Sequence, residues 1–431
     1  SDVCSSDLDS VAFGPGAADD GAGVVVLLET MRALLAGPKL AHDVIFLFSD
    51  GEEARRLGGA GCRGARAFVL KHPWFKDVKV LLNFDARGNR GPAYMYETPE
   101  DNGWLIAQLQ AARCHPFTNS FMYEIYRSMP VDSDFSCFKK AGVPGFNMAF
   151  VQGLPVYHTA LDTPEHLDLG SIQHMGYYAL NLTRRLADRS LDNTGGLNQV
   201  YFNIFGIQVV NYPVALARLL GIAFLILFGV ILYKNVRRGR LTVKSMAFCA
   251  TGFTLCAAGG AGIGGLMAFA GYQIRYIYIL YSDIPFTLSC LFATALLTIV
   301  ILRALCARFG ANNMIAGVLI CWAILLALSL AVVPGASYLA FWTLLFMTVA
   351  LGVSLRYSNN ESLPARWALI LFALAVVPGV SHWAISLYGL YTCLMVIFAA
   401  IYCAGVVAVL GVSTPLLAAL SPRTARIGYA A

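Results

Sequence analysis

Charged residues are scarce in this sequence, and acidic ones almost disappear from its second half. Only 13% of the 431 residues are charged and 58% are hydrophobic, whereas a soluble domain has roughly 25% charged residues. Beyond Asp192 the only carboxylates are Asp283 and Glu361. These features exclude a uniformly soluble chain and predict a soluble domain followed by a membrane domain.

Cysteine pairs and basic patches are also missing. None of the 11 cysteines belongs to a CxxC pair, and most lie in or beside apolar runs, where Cys acts as a small hydrophobe. We therefore expect neither a disulfide framework nor a thiolate zinc site. The net charge of +6 comes largely from Lys and Arg that flank apolar runs, which argues against a nucleic-acid partner.

Long apolar runs fill the second half of the chain. Most of them reach the roughly 20 residues that a membrane span needs, so residues 213–431 are predicted to form a domain of about seven spans in a lipid bilayer. The runs lie near 213–233, 246–271, 284–305, 313–333, 337–355, 367–380 and 383–411.

Basic residues follow alternate apolar runs, in three clusters that begin at Lys234, Arg303 and Arg356. By the positive-inside rule these loops face the cytoplasm. The soluble domain is then expected on the other side, in the periplasm or exterior of a bacterium or the lumen of a eukaryotic compartment. Few ionisable residues lie inside the runs, so anchorage is the simplest role for them, although a transporter function of this half alone stays open.

Strands and helices alternate in the first half. Residues 44–48, 78–85 and 143–150 are apolar, as in buried strands, and residues 24–35 and 169–186 have the pattern of helices. This alternation predicts an α/β domain with a mixed, mainly parallel sheet and helices on both faces.

Acidic residues stand where several of these elements begin or end. Asp19 precedes the first helix, Glu52 and Glu53 follow one strand, Asp85 ends the next, and His158 lies in a later loop. An acidic surface turn is the simplest interpretation of an isolated Gly-Glu-Glu, but the carboxyl ends of parallel strands form one crevice. Carboxylates and imidazole without thiolates suit catalytic zinc, with manganese or cobalt as substitutes, and five groups are enough for two metal ions.

In residues 9 to 190 the chain resembles the two-zinc aminopeptidases of clan MH, and within them the multi-span branch of endoplasmic reticulum metallopeptidases and vacuolar membrane proteases. Five motifs carry the resemblance: Asp9-Ser10, Asp19-Asp20-Gly21-Ala22-Gly23, Asp50-Gly51-Glu52-Glu53, Asn83-Phe84-Asp85 and Tyr157-His158-Thr159.

The resemblance implies a role for each of these positions. Asp19 would bridge two zinc ions and Glu52 would act as general base and acid. Glu53 and His158 would hold one zinc, and Asp85 would hold the other. Two supporting roles complete the set: Tyr157 would bond the substrate carbonyl or tetrahedral intermediate, or simply pack, and Asp9 would support the site.

One departure from the family pattern concerns the start of the chain. The family has His-x-Asp before the first motif, and that His is the remaining ligand of the zinc held by Asp85, whereas Asp7 stands here. Residues 1–8 also lack the basic start and apolar core of a signal peptide. We therefore expect 1–8 to be a non-native leader on a truncated chain, 9–195 to be the incomplete peptidase domain, and 196–212 to be a linker.

These expectations combine into a membrane-anchored, zinc-dependent exopeptidase, most simply an aminopeptidase that acts on peptides. A catalytically impaired, peptidase-like binding protein is the first alternative, because the family His is missing. A zinc acyltransferase resembling glutaminyl cyclase is the second, and the second set of metal ligands argues against it. Side-chain preference and oligomeric state are not specified by the sequence.

Overall fold

Two units, Ser1–Val214 and Ala215–Ala431, make up the chain. The computed structural model describes residues 1–53, 61–129, 131–204, 207–274, 284–357 and 399–414, together with scattered positions between 370 and 387. Each unit has its own secondary structure class, the first α/β and the second helical. This division agrees with the change in composition along the sequence.

The first unit alternates strands and helices. In chain order they are β1 (Asp2–Asp7), α1 (Gly21–Leu35), β2 (Val44–Ser49), α2 (Arg63–Lys71), β3 (Val80–Ala86), β4 (Arg90–Glu97), α3 (Gly103–Ala111), β5 (Phe117–Thr118), α4 (Ser120–Ser128), α5 (Asp134–Lys140), β6 (Gly145–Gln152), α6 (Leu169–Ala187), β7 (Gln199–Ile204) and β8 (Gln208–Pro213).

The main sheet has six strands in the order β2-β1-β3-β6-β4-β5. β1 pairs in parallel with β2 and β3, and β3 pairs in parallel with β6. β4 runs antiparallel to β6 and parallel to β5. The predicted mixed, mainly parallel sheet is therefore confirmed, and β1, β2 and β3 end at the same edge.

β2, β3 and β6 are largely apolar because the sheet is covered on both faces. Side chains alternate between faces along a strand. In β3, Val80 and Leu82 join a core with α1, α3 and α6. Leu81 joins a second core, which contains Phe68 of α2 and Phe138 of α5. Helices on both faces were predicted, and the two cores confirm them.

The structure differs from the sequence-based domain boundaries at two places. Asp2–Asp7, expected to be a leader outside the domain, form β1 and are all buried between β2 and β3. Residues 196–212 do not form an extended linker. They contain most of the hairpin β7–β8, in which Tyr201 is buried. The backbone N–H of Tyr201 donates to Ser120 Oγ, and the Ser120 hydroxyl donates to the backbone carbonyl of Tyr201, at 3.0 Å in each case.

The second unit is helical. The helices named within its described residues are α7 (Val214–Arg237), α8 (Val243–Ile274), α9 (Ile284–Phe309), α10 (Ala311–Val332), α11 (Ser337–Tyr357) and α12 (Ala399–Val412).

Five of these helices contain a segment long and apolar enough to cross a membrane, namely Val214–Arg237, Val243–Phe269, Thr287–Phe309, Ala311–Val332 and Pro334–Arg356. They coincide with the first five predicted spans, while the predicted spans at 367–380 and 383–411 lie partly outside the described residues. Gly264 of α8 lies against α12, since a Cβ there would come within 2.4 Å of the Ala399 carbonyl oxygen. Small residues allow such close helix contacts in membranes.

Candidate metal centre

Three of the predicted site residues meet at the carboxyl edge of the sheet. Asp19 precedes α1, Glu53 follows β2, and His158 lies in the loop after β6. The Nε2 atom of His158 is 3.0 Å from Asp19 Oδ2 and 2.7 Å from Glu53 Oε1, and one ligand atom from each residue lies within 4.8 Å of the others. Among the described residues, no other group of three His, Cys, Asp or Glu has this spacing.

The chemistry of this three-residue group suits a cation. Asp19 Oδ2 and His158 Nε2 are buried, yet neither completes a hydrogen bond of good geometry despite their short separation. Buried polar atoms rarely stay without such a partner. Two carboxylate oxygens and one imidazole nitrogen that converge in this way could hold a metal ion, and oxygen and nitrogen ligands without sulfur are typical of catalytic zinc.

Asp19 is positioned by its neighbours in the chain and by the carboxylate of Asp162, which is distant in the sequence but close in space. Asp20, rather than Asp19, caps α1, since its side chain accepts from the Gly23 N–H. The Asp162 carboxylate accepts from the N–H groups of Ala18 and Asp19 at 2.7 and 3.2 Å. A cap therefore accounts for one member of the Asp pair, and the other points its side chain toward Glu53 and His158.

The Gly-Glu-Glu turn is held by Asp9. Its carboxylate accepts from the N–H groups of Gly51, Glu52 and Glu53 at 2.5, 2.8 and 3.3 Å. Gly51 has φ +78 and faces the Arg63 side chain, so a side chain at residue 51 would be strained and crowded. The predicted supporting residue thus orients both glutamates through their backbone.

His158 is held in an uncommon backbone conformation, with φ 59. Non-glycine residues with positive φ are rare and concentrate at functional sites. The Tyr157 ring stacks on the imidazole, with centroids 3.7 Å apart and an interplanar angle of 21°. Burial lowers the pKa of His158, but its contacts with Asp19 and Glu53 raise it by more, to about 9.

Glu52 and Asp85 lie near this group without belonging to it. The pKa of Glu52 is raised to about 9, chiefly by burial and next by the negative charge of Asp85. The pKa of Asp85 is raised to about 8, chiefly by burial and next by the negative charge of Asp19. Crowded, buried carboxylates resist ionisation, so a cation at this edge of the sheet would favour their charged forms.

Asp7 ends β1 beside the same carboxylates. It is buried, and burial followed by the charges of Asp20 and Asp85 raises its pKa to about 12. The residue at the position where the family pattern has His therefore lies close enough to Asp85 for their charges to interact. The three-residue group contains neither residue, and it is the one candidate site for a metal ion among the residues that the structure describes.

A buried polar network that the sequence did not reveal includes Asn83, which lies two residues before Asp85 on β3. Asn147 Nδ2 donates to Glu97 Oε2 at 3.0 Å and to Ser133 Oγ at 2.9 Å, and Asn83 Nδ2 donates to Asn147 Oδ1 at 3.0 Å. Lys139 Nζ pairs with Glu97 Oε1 at 3.0 Å. Because the partners are far apart in sequence, only the motif Asn83-Phe84-Asp85 hinted at this network.

Residues 3–183 match Peptidase family M28. We refer to residues 3–183 as the M28 domain after this match. The M28 match extends from β1 into α6, so it includes β1, the Gly-Glu-Glu turn, and all of Asp19, Glu53, Asp85 and His158. The predicted resemblance to a metallopeptidase family is confirmed.

Curated relatives of the M28 domain include endoplasmic reticulum metallopeptidase 1 of Rattus norvegicus, 31% identical over 233 residues, and of Homo sapiens, 32% identical over 233 residues; each alignment covers 52% of this chain and 25% of the relative. The vacuolar membrane protease of Eremothecium gossypii is 31% identical over 206 residues, which cover 47% of this chain and 20% of the relative. The chain therefore spans a quarter or less of these relatives.

Two solved structures resemble the M28 domain. They are an aminopeptidase from Aneurinibacillus sp. strain AM-1, with TM-score 0.36, 21% identity and 44% of each chain covered, and a glutaminyl cyclase from an Acidobacteriales bacterium, with TM-score 0.34, 24% identity, and 43% of this chain and 69% of that chain covered.

Proposed function

We propose that this chain is a membrane-anchored zinc exopeptidase that removes amino-terminal residues from peptides. The observation that carries the proposal is the convergence of Asp19, Glu53 and His158 next to the partly buried residue Glu52. The match of residues 3–183 to a peptidase family supports hydrolysis of peptide bonds. The ligand chemistry of the three-residue group supports zinc, and aminopeptidase activity is proposed from the resemblance of the five motifs to the aminopeptidases of clan MH.

Each site residue has a separate task in the proposed reaction. A zinc ion held by Asp19, Glu53 and His158 would polarise the scissile carbonyl and acidify the attacking water. Glu52 accepts the proton of that water and then passes it to the leaving amine, because its carboxylate is close to the centre and is not one of its three ligands. Tyr157 donates its hydroxyl hydrogen to the substrate carbonyl oxygen.

We propose that Asp85 serves a second zinc ion, with Asp19 as the shared ligand. The mutual electrostatic influence of Asp85, Asp19 and Asp7 supports this assignment. A carboxylate at position 7 offers oxygen where the family pattern offers nitrogen. Asp7 also favours the alternative function, an inactive binding protein, if oxygen at that position fails to retain the second ion.

The apolar helices are proposed to anchor the peptidase domain to a bilayer. The basic residues that follow α7 and end α9 and α11 support a cytoplasmic position for those loops. The peptidase domain would then lie on the opposite side of the membrane. Peptides in that compartment would be its substrates.

The chain is expected to cleave leucine p-nitroanilide and to leave its N-acetyl derivative intact. An aminopeptidase recognises the free amine, which acetylation removes. Release of p-nitroaniline in the presence of zinc measures both reactions. Equal cleavage of the two compounds would contradict exopeptidase action. Failure to cleave either, with conversion of a glutaminyl peptide to its cyclic product, would favour the cyclase alternative.

Zinc is expected to stabilise the protein more than magnesium does. A ligand at 100 times its dissociation constant contributes about 2.7 kcal/mol to the free energy of unfolding. For a domain of this size that corresponds to a rise in Tm of roughly 5–10 °C. Thermal unfolding with each ion in turn measures the effect, and an equal response to magnesium, which prefers six oxygen ligands, would contradict a zinc site.

A further inference from the structure

Arg87 is a basic residue near the acidic groups of the metal centre. It follows β3 directly, two residues after Asp85. Its N–H donates to the Phe150 carbonyl at 3.0 Å, which continues the pairing between β3 and β6. Since side chains two apart on a strand share a face, Arg87 and Asp85 point from the sheet on the same side.

The backbone at Arg87 has little room to move. The next residue, Gly88, lies so close to β6 that a Cβ there would be 2.2 Å from the Gln152 carbonyl oxygen. Any larger residue would displace one of the two strands. The position of Arg87 is therefore set by the sheet itself and not by a mobile loop.

Arg87 also contacts the aromatic residue beside the centre. Its guanidinium carbon is 5.8 Å from the centroid of the Tyr157 ring, and that ring stacks on His158. Cation–π attraction holds a guanidinium against an aromatic face. Arg87, Tyr157 and His158 thus form a continuous row that leads to the three-residue group.

The charges around Tyr157 place Arg87 in the same electrostatic environment as the metal ligands. Burial, then the charges of Asp19, Asp85 and Glu53, raises the pKa of the Tyr157 hydroxyl, whereas the charge of Arg87 lowers it. Arg87 is only partly buried, so a bound molecule can reach it. A planar, partly exposed guanidinium matches a carboxylate better than any other common peptide group.

We propose that Arg87 binds a carboxylate of the peptide substrate, so that the enzyme prefers peptides with an anionic group near the scissile bond. The proposal rests on the peptidase function proposed above. The carboxylate is either the carboxyl terminus of a short peptide or an acidic side chain next to the cleaved residue. Both sources offer the same two oxygens to the guanidinium.

Binding to a slow variant tests the proposal without hydrolysis. The zinc-loaded Glu52→Gln protein is titrated calorimetrically with four peptides: Leu-Gly, Leu-Gly-amide, Leu-Glu-amide and Leu-Gln-amide. We expect Leu-Gly to bind about tenfold or more tightly than its amide if the terminus is recognised, because a hydrogen bond to a charged group contributes that much. Tighter binding of Leu-Glu-amide than of Leu-Gln-amide would identify the side chain as the source.

Substitution of Arg87 in the same protein completes the test. Arg87→Gln should remove the preference for the anionic member of the pair, and Arg87→Lys, which keeps the charge but loses the planar fork, should retain part of it. If Arg87 had only a structural role, Arg87→Gln would weaken the binding of the anionic and the neutral peptide equally.

Three results would overturn the proposal. They are equal binding of the anionic and the neutral peptide in both pairs by the protein that retains Arg87, equal weakening of the anionic and the neutral peptide by Arg87→Gln, and no binding of any of the four peptides. Hydrolysis is assayed separately on the protein with Glu52. A chain that prefers the anionic peptides but cleaves none would refute the proposed activity and support carboxylate recognition. A chain that cleaves peptides without preferring the anionic ones would support the activity and refute carboxylate recognition.

Discussion

Replacement of Glu52 by glutamine is expected to lower peptide hydrolysis by about 10²–10⁴-fold, the usual contribution of a general base. Glutamine has the same shape and keeps the backbone N–H that Asp9 accepts from, but it cannot take a proton. The three residues that could together hold a metal ion do not include Glu52. The variant should therefore keep its zinc while its kcat falls.

The measurement pairs kcat with metal content for the same preparation. Glu165→Gln is the matched control, because Glu165 is an exposed glutamate in the same domain and should tolerate the change. Loss of zinc together with activity would give Glu52 a ligand role. Retention of most of the activity would remove it from the mechanism.

Replacement of His158 by alanine should weaken zinc binding by more than about 100-fold, since changes to groups that merely orient metal ligands already cost about 10–100-fold. The side chain removed is the only nitrogen donor of the group, and it separates two carboxylates. Without it, Asp19 and Glu53 repel each other more strongly. Competition with a chromogenic chelator measures the affinity, and activity should be lost in parallel.

His42→Ala controls for loss of an imidazole. His42 is exposed, lies before β2 at the amino edge of the sheet, and contacts the Arg189 carbonyl at 2.8 Å. Its removal should leave zinc affinity unchanged. If the two histidine variants bound zinc equally well, the metal would have to be held elsewhere.

The candidate site could be predicted largely because its residues follow recognisable elements. Glu53 comes after an apolar run that forms β2, and Asp85 lies near the end of another that forms β3. The parallel arrangement then brings such positions together. Which Asp of the pair caps α1 and which faces the centre could not be read from sequence, because both residues are acceptable caps.

The unpredicted parts have identifiable physical causes. β1 contains Asp2, Ser5, Ser6 and Asp7 and so lacks an apolar run, yet it takes a central place in the sheet through backbone pairing on both sides. β4 contains Pro92, which argues against a strand, and its register with β6 shifts between Arg90 and Ala93. Local composition misleads in both cases because the partner strands are distant in sequence.

Asp162 and Asn147 escaped assignment for a related reason. The contact that Asp162 makes with Ala18 joins residues 144 positions apart. Asn147 lies within an apolar strand, and only the fold reveals Glu97 and Ser133 beside it. Residues that support a site only through hydrogen bonds belong to no motif that a single sequence reveals.

The carboxylate of Asp9 holds the backbone of two neighbouring glutamates. Three successive N–H groups depend on that one acceptor, so the backbone at Glu52 and Glu53 is held as a unit. The residue proposed to move protons and a residue proposed to hold the metal ion therefore share one anchor. Loss of the carboxylate at position 9 is expected to disturb both proposed roles together.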